Sequence, residues 1–447
     1  MHSKIYRVYL FIFIMGSSLM FGQRFFSPFF PVDDFTMNAR SMAMGGARYD
    51  LTQNSALSNF DGVNFLLFDF GRRSYTEKRS FPVMDMFDDV VTQNVYVLNR
   101  PSYSSFSWLL AIDLGQYINF PISLSLSNAP MWDMRYEYSE EVRASLGPGV
   151  YNRDPLVGYH ILDIHGTINS LKIDIATKAL GKLRLGFSIE KLYDNNLSML
   201  SGTHNLKNQP DDALASDETS ITDISLYSDE PLSYSFGGVI DLKQNSFGLH
   251  FKPSFDIGFN TSGQLNNTGE LIGLIPMVDE RTQLPFWGLS DSLSSYSFRM
   301  PQEFSLSVLS KVKSKTETVV TGGIVITDWE NSSRQIATHK SSDTTNFNYH
   351  STMSISFGVE HNILDKVPLR FGFIYSESPL GDEFEITKIT IGTGWVFNNL
   401  SLDIAAVFGG VEYLYPDLFV PSGQSADKPE LVNESNAVMK ATIKYSF

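Results

Sequence analysis

Four cations, Lys172, Arg184, Lys252 and Arg370, and five carboxylates, Asp174, Glu190, Asp241, Asp256 and Glu360, fall on the polar side of segments in which polar and apolar residues alternate. Side chains of these types on one face of a strand can do one of two things. They can pair with each other and brace the surface they share, or a cation can hold a ligand carboxylate through charge-assisted hydrogen bonds once water is stripped away. Both readings stay open here, with Arg370 the first candidate for ligand contact. Bond-breaking chemistry has no comparable constellation. The eight His are scattered, no glycine-rich phosphate loop or His-Glu-x-x-His helix occurs, and His160 and His165 sit on opposite faces of one strand. No catalytic residue, metal site or cofactor is expected, and no enzymatic activity.

A second lead is the connection 261–298, which holds Leu271, Ile272, Leu274, Ile275, Pro276, Met277, Leu284, Pro285, Phe286 and Trp287. A solvated loop has no need of so much apolar surface, so it either captures an apolar ligand or folds onto neighbouring loops. Leu271, Ile275, Met277, Phe286 and Trp287 are its candidate ligand contacts.

The elements that carry these residues repeat with period two. In 248–260, Leu249, Phe251, Phe255, Ile257 and Phe259 alternate with His250, Lys252, Ser254, Asp256 and Asn260, and 183–190, 347–362 and 400–408 sort the same way. The last nine residues put Met439, Ala441, Ile443, Tyr445 and Phe447 on one side and Lys440, Thr442, Lys444 and Ser446 on the other. The chain is 43% hydrophobic and 13% aromatic, yet after the first residues it has no apolar run long enough for a membrane helix. Strands with lipid on one side only produce that combination. Strands are expected near 63–72, 104–114, 121–129, 159–178, 183–193, 232–242, 247–260, 299–311, 317–328, 347–362, 368–378, 385–397, 400–410 and 435–447. Long and short connections take turns between them. This predicts an all-β chain forming a transmembrane antiparallel β-barrel of about 14 strands, both ends on the periplasmic side.

Lys4 and Arg7 precede an apolar run and small residues, the layout of a signal peptide over 1–22. Residues 63–447 make the barrel. Between them, 23–62 contains Phe25, Phe26, Phe29 and Phe30 and then Met42, Met44, Gly45 and Gly46, and is expected to plug the lumen, the two glycines turning it tightly against the wall. The absence of cysteine excludes a lipoprotein anchor and disulfides. A net charge of −15 argues against a nucleic-acid partner. The acidic stretch 211–230 reads as a solvated loop, with divalent-ion bridging to lipopolysaccharide as the alternative.

The alternating tail with Tyr445 and Phe447 resembles the signal read by the barrel-insertion machinery of the bacterial outer membrane. Three further segments resemble the outer-membrane long-chain fatty acid and hydrocarbon transporters of the FadL type. They are 38–47, with its Met-Gly-Gly-Ala element; 300–307 running on to Asp328-Trp329; and 368–379, an Arg-x-Gly strand followed by Tyr375 and Pro379. Where that family carries Asn-Pro-Ala-Gly, this chain has Asn54-Ser-Ala-Leu57. The resemblance implies passive uptake of hydrophobic small molecules by a monomer in contact with outer-membrane lipid and lipopolysaccharide. A PorV-like component of protein secretion, with a similar Met-Gly-Gly opening, or a structural outer-membrane protein are the alternatives.

Overall fold

The computed structural model describes residues 25–31, 38–57, 63–87, 89–143, 156–206, 220–262, 272–279, 282–291, 293–312, 317–338, 342–346, 349–364, 367–419 and 429–447. The expected signal segment 1–22 and residues 211–219 of the acidic stretch lie outside them. β-Branched and aromatic residues alternating with Ser, Thr and charges suit a pleated surface with one dry face. They form fourteen antiparallel strands: β1 (Phe65–Met84), β2 (Ser102–Asp113), β3 (Ile122–Asp133), β4 (Leu156–Lys178), β5 (Leu183–Asn205), β6 (Leu232–Leu242), β7 (Asn245–Lys252), β8 (Gln302–Val312), β9 (Thr318–Asp328), β10 (Thr352–Leu364), β11 (Val367–Ser376), β12 (Ile386–Phe397), β13 (Leu400–Tyr415) and β14 (Glu430–Ser446). Each pairs with the next, and β14 returns to β1 in one unshifted register from Phe65↔Ser446 to Ser80↔Leu431. The sheet closes and leaves no edge in the wall. All fourteen expected strands are present. Asn398-Asn399 makes one of the two-residue turns at the short-turn end, with Asn398 at φ 50°, a conformation asparagine tolerates.

The two faces of the wall differ as the alternation demands. Phe70, Phe106, Phe236, Phe357 and Phe371 stand about half exposed on the outside, a belt that water would not tolerate. At the tail Ile443, Tyr445 and Phe447 are 37%, 49% and 56% exposed, whereas Lys440 and Thr442 are 3%. The Phe447 amide donates to the Asn64 carbonyl at 2.9 Å, so both ends of the barrel sequence meet at the short-turn end.

At the other end, connections expected as loops are in large part continued strand. β1 runs on to Met84 and pairs with Val90–Asn99; β5 runs to Asn205 and pairs with Ser220–Ser228; Phe255–Ser262 pairs with Leu293–Met300. Beyond the lipid belt the outer face turns polar, so the hydrophobic period disappears while the hydrogen-bond ladder continues.

A line of backbone breaks marks that level. On β6 and its extension the inward residues change from Ser233, Ser235 and Val239 to Ile224 and Leu226 across 229–231. On β7 they change from His250 to Ile257 and Phe259 across Pro253-Ser254, and on β8 from Ser305 and Ser307 to Phe298 and Met300 across Pro301. An irregularity of one residue swaps the two faces of a strand. Asp256, expected inward by unbroken alternation from His250, is therefore exposed on the outside.

Candidate functional site

Inside the barrel the polar face meets residues 38–57. Asn38 caps the short helix α1 (Ala39–Ala43) by accepting the Ser41 amide at 2.8 Å, and α1 packs on β12 and β13. The chain then turns through Gly45 (φ 74°) and Gly46 (φ 61°). A Cβ on Gly45 would fall 2.5 Å from the Phe357 carbonyl oxygen, so only glycine fits this approach. The wall is cut to match: a Cβ at Gly358 would lie 2.1 Å from the Met44 carbonyl oxygen, and one at Gly237 2.1 Å from Asn54 Oδ1. Met42 is buried against Ala405, Val407 and Val438, and Leu51 against Phe65, Leu67 and Leu109. The Asn54-Ser-Ala-Leu57 element folds into a single 3-10 turn seated on β4, β5 and β6.

Two arginines of this segment bind the wall. Arg40 forms a forked pair with Glu360 at 2.9 and 2.7 Å, and Arg48 pairs with Glu303 at 2.7 Å. Backbone contacts add to them: the Ala39 amide donates to Thr442 Oγ1 at 2.7 Å, and Thr390 Oγ1 donates to the Ala43 carbonyl at 2.8 Å. Burial pushes the Asp50 carboxyl upward, against the Thr52 amide and Arg40, which favour its charged form. Sequence reasoning missed Arg40, Arg48 and the receiving glycines, because 38–57 has no periodicity and a wall glycine looks like any strand glycine until its neighbour is known.

The four candidate cations divide among carboxylates. Arg370 bonds Glu360 through Nε at 2.6 Å and Asp403 through Nη1 at 2.6 Å; Arg184 pairs with Asp241 at 3.0 Å, Lys252 with Glu190 at 2.6 Å and Lys172 with Asp174 at 3.0 Å. Through Glu360, Arg370 is thus tied to Arg40.

Above 38–57 stands an aromatic column. Phe25, Phe26, Phe29 and Phe30 are all buried, Phe25 with its ring 4.6 Å from Tyr415 and 5.4 Å from Tyr136, Phe26 5.3 Å from Phe384, and Phe30 5.7 Å from Trp329. Phe29 stacks on Trp287 at 4.9 Å. Trp287 and Phe286 belong to a separate hairpin, Ile272–Val278 with Pro285–Asp291, and Met277 is partly buried against the same column. Ile275 sits in the first strand of that hairpin, and Leu271 lies outside the described residues. The Trp287 indole N–H is buried with no acceptor among the described residues.

Three cavities follow one another along the lumen. One of about 200 Å³ lies under the hairpin between Phe286, Trp287, Tyr415 and Phe419. The next, about 300 Å³, lies between the column and 45–53, against Phe30, Trp329, Lys252 and Glu190. The third, about 860 Å³, opens toward the short-turn end, and Arg40, Lys178, Arg184, Lys311, Arg370 and Lys444 line it, against only three aspartates.

No family model and no curated protein matches this sequence. Solved structures do. A FadL homologue from Pseudomonas aeruginosa superimposes over 93% of this chain and 99% of its own, with a TM-score of 0.60 at 14% identity. The toluene transporter TbuX of Ralstonia pickettii gives 0.53 at 13% over 92% and 98%, and TodX of Pseudomonas putida 0.52 at 13% over 93% and 98%. The likeness extends over nearly the whole length of these chains, and the protein has the fold of the FadL-type outer-membrane transporters.

Proposed function

We propose that this protein is a bacterial outer-membrane channel for passive uptake of hydrophobic small molecules, exported by residues 1–22, plugged by 23–62 and acting as a monomer. The observation that carries the reading is the buried aromatic column with a cavity at either end. An apolar solute, excluded by lipopolysaccharide, is captured beneath the 272–291 hairpin, where Phe286 and Trp287 supply apolar walls and the indole N–H a donor. It descends past the column and 38–57 into the lower cavity, whose excess of cations, in a chain of net charge −15, suits an amphiphile with an anionic head. No energy source is needed. The outer belt meets lipid, and Tyr445 and Phe447 present the assembly signal to the insertion machinery.

The test is uptake by cells that lack other importers. Replacing Phe286 and Trp287 by Ser is expected to lower uptake of a labelled fatty acid about tenfold at equal barrel abundance, a loss of about 1.4 kcal/mol of apolar contact shared between two half-buried rings. Unchanged uptake rejects the capture role of the hairpin. A fatty acid entering faster than its methyl ester identifies the cationic lower cavity as selective.

A further inference from the structure

Past its last pairing with β14 at Ser80, β1 continues with Val90–Asn99 as a two-stranded hairpin that pairs with nothing else among the described residues. Tyr136–Arg143 approaches its base, where Val97 is buried, without joining it. Further out both faces are bare: Val91 is 66% exposed and Val95 51%, and at the tip Met86 is 87% and Phe87 76% exposed. At the tip Asp85 accepts the Phe87 amide at 2.7 Å and the Asp89 amide at 3.1 Å. It stands about 15 Å beyond the seam at roughly 3.3 Å per residue, well clear of the lipid belt. Two strands alone are marginal in water, and an exposed apolar edge is a template for another strand. We propose that this hairpin is a docking edge for an extended basic segment of an extracellular polypeptide, which adds to Val90–Asn99 as a third strand.

Charge selects the occupant. Residues 80–99 contain three aspartates and no lysine or arginine, which favours a cationic strand and repels the phosphates of lipid or lipopolysaccharide. A second copy is disfavoured by geometry. Two barrels in one membrane raise their hairpins in the same direction, so their edges meet in parallel and bring the aspartate tips together. On the added strand, alternate apolar residues would cover Val91 and Val95 while backbone bonds supply affinity.

The experiment uses the full chain in detergent and two labelled ten-residue peptides of equal lysine and valine content, one alternating and one scrambled. Fluorescence anisotropy is expected to show the alternating peptide binding at least about tenfold more tightly, a difference of about 1.4 kcal/mol. Val91→Lys with Val95→Lys abolishes that preference, Val91→Thr with Val95→Thr retains it, and all forms keep heat-modifiable migration. Equal affinity for the two peptides overturns the proposal. So does retained preference in the lysine variant, or wild-type self-association that the lysine variant loses, which assigns the edge to a second copy. Only the outward orientation is taken from the transport reading, so a failed uptake assay leaves the peptide result standing.

Discussion

Arg370 sits between two carboxylates with 5% of its side chain exposed, and its loss leaves Asp403 unpaired and Glu360 dependent on Arg40. Arg370→Met is therefore expected to destabilise the barrel by about 3–5 kcal/mol, the cost of breaking a buried ion pair from one side. Arg40→Met costs less, because Arg370 still covers Glu360 and the Arg40 side chain is 52% exposed. The urea midpoint for loss of the heat-modifiable band measures both, and equal midpoints for the two variants contradict this ranking. The inward direction of Arg370, Arg184 and Lys252 was legible in the alternation. Their partners were not, since Lys252 reaches Glu190 across the intervening β6, and a pairing two strands away exists only once every register is fixed.

Strands were the most legible elements, and for a physical reason: lipid forces one face to be apolar wherever the wall crosses it. Where β1 and β5 rise beyond that layer the constraint lapses, and so did the ability to read them. The break at Pro253-Ser254 shows the limit of counting by twos, and it can be tested because the chain has no native cysteine. Asp256→Cys is expected to react with a membrane-impermeant maleimide on intact cells, whereas Leu249→Cys, within the lipid belt, stays unlabelled. An unlabelled Asp256→Cys would restore an unbroken strand. The seat of the N-terminal segment belongs to the same scale. Gly358→Val puts a side chain where the Met44 carbonyl lies, so 38–57 must lift from β10. Trypsin is then expected to cut after Arg40 or Arg48 several-fold faster than in wild type, while the barrel still assembles, because strand pairing does not depend on the segment. Unaltered cleavage means that the contact yields without release.

For the molecule as a whole, closure depends on the tail. The Ser446 amide donates to Asn399 at 2.8 Å and that of Phe447 to Asn64 at 2.9 Å, with the Tyr445 and Phe447 rings 6.1 Å apart on the lipid side. Deleting Phe447 removes the last seam bond and the terminal aromatic together, and is expected to lower assembled protein several-fold by immunoblot of the heat-modifiable form. Wild-type abundance would count against the tail as an assembly signal. The contacts of 38–57 carry a mechanical consequence as well. From one short stretch they reach β1 and β2 through Leu51, β4 to β6 through the 55–57 turn, β8 through Arg48, and β10 to β14 through Arg40, Gly45 and α1. The stretch is a hub, its contacts are spokes, and the barrel is the rim. A rim held by many spokes stays round when one is cut, because the others take up the load, and goes oval when two on different arcs are cut together. Single losses of anchor are thus mild, and the roundness of the rim is shared among all the spokes at once.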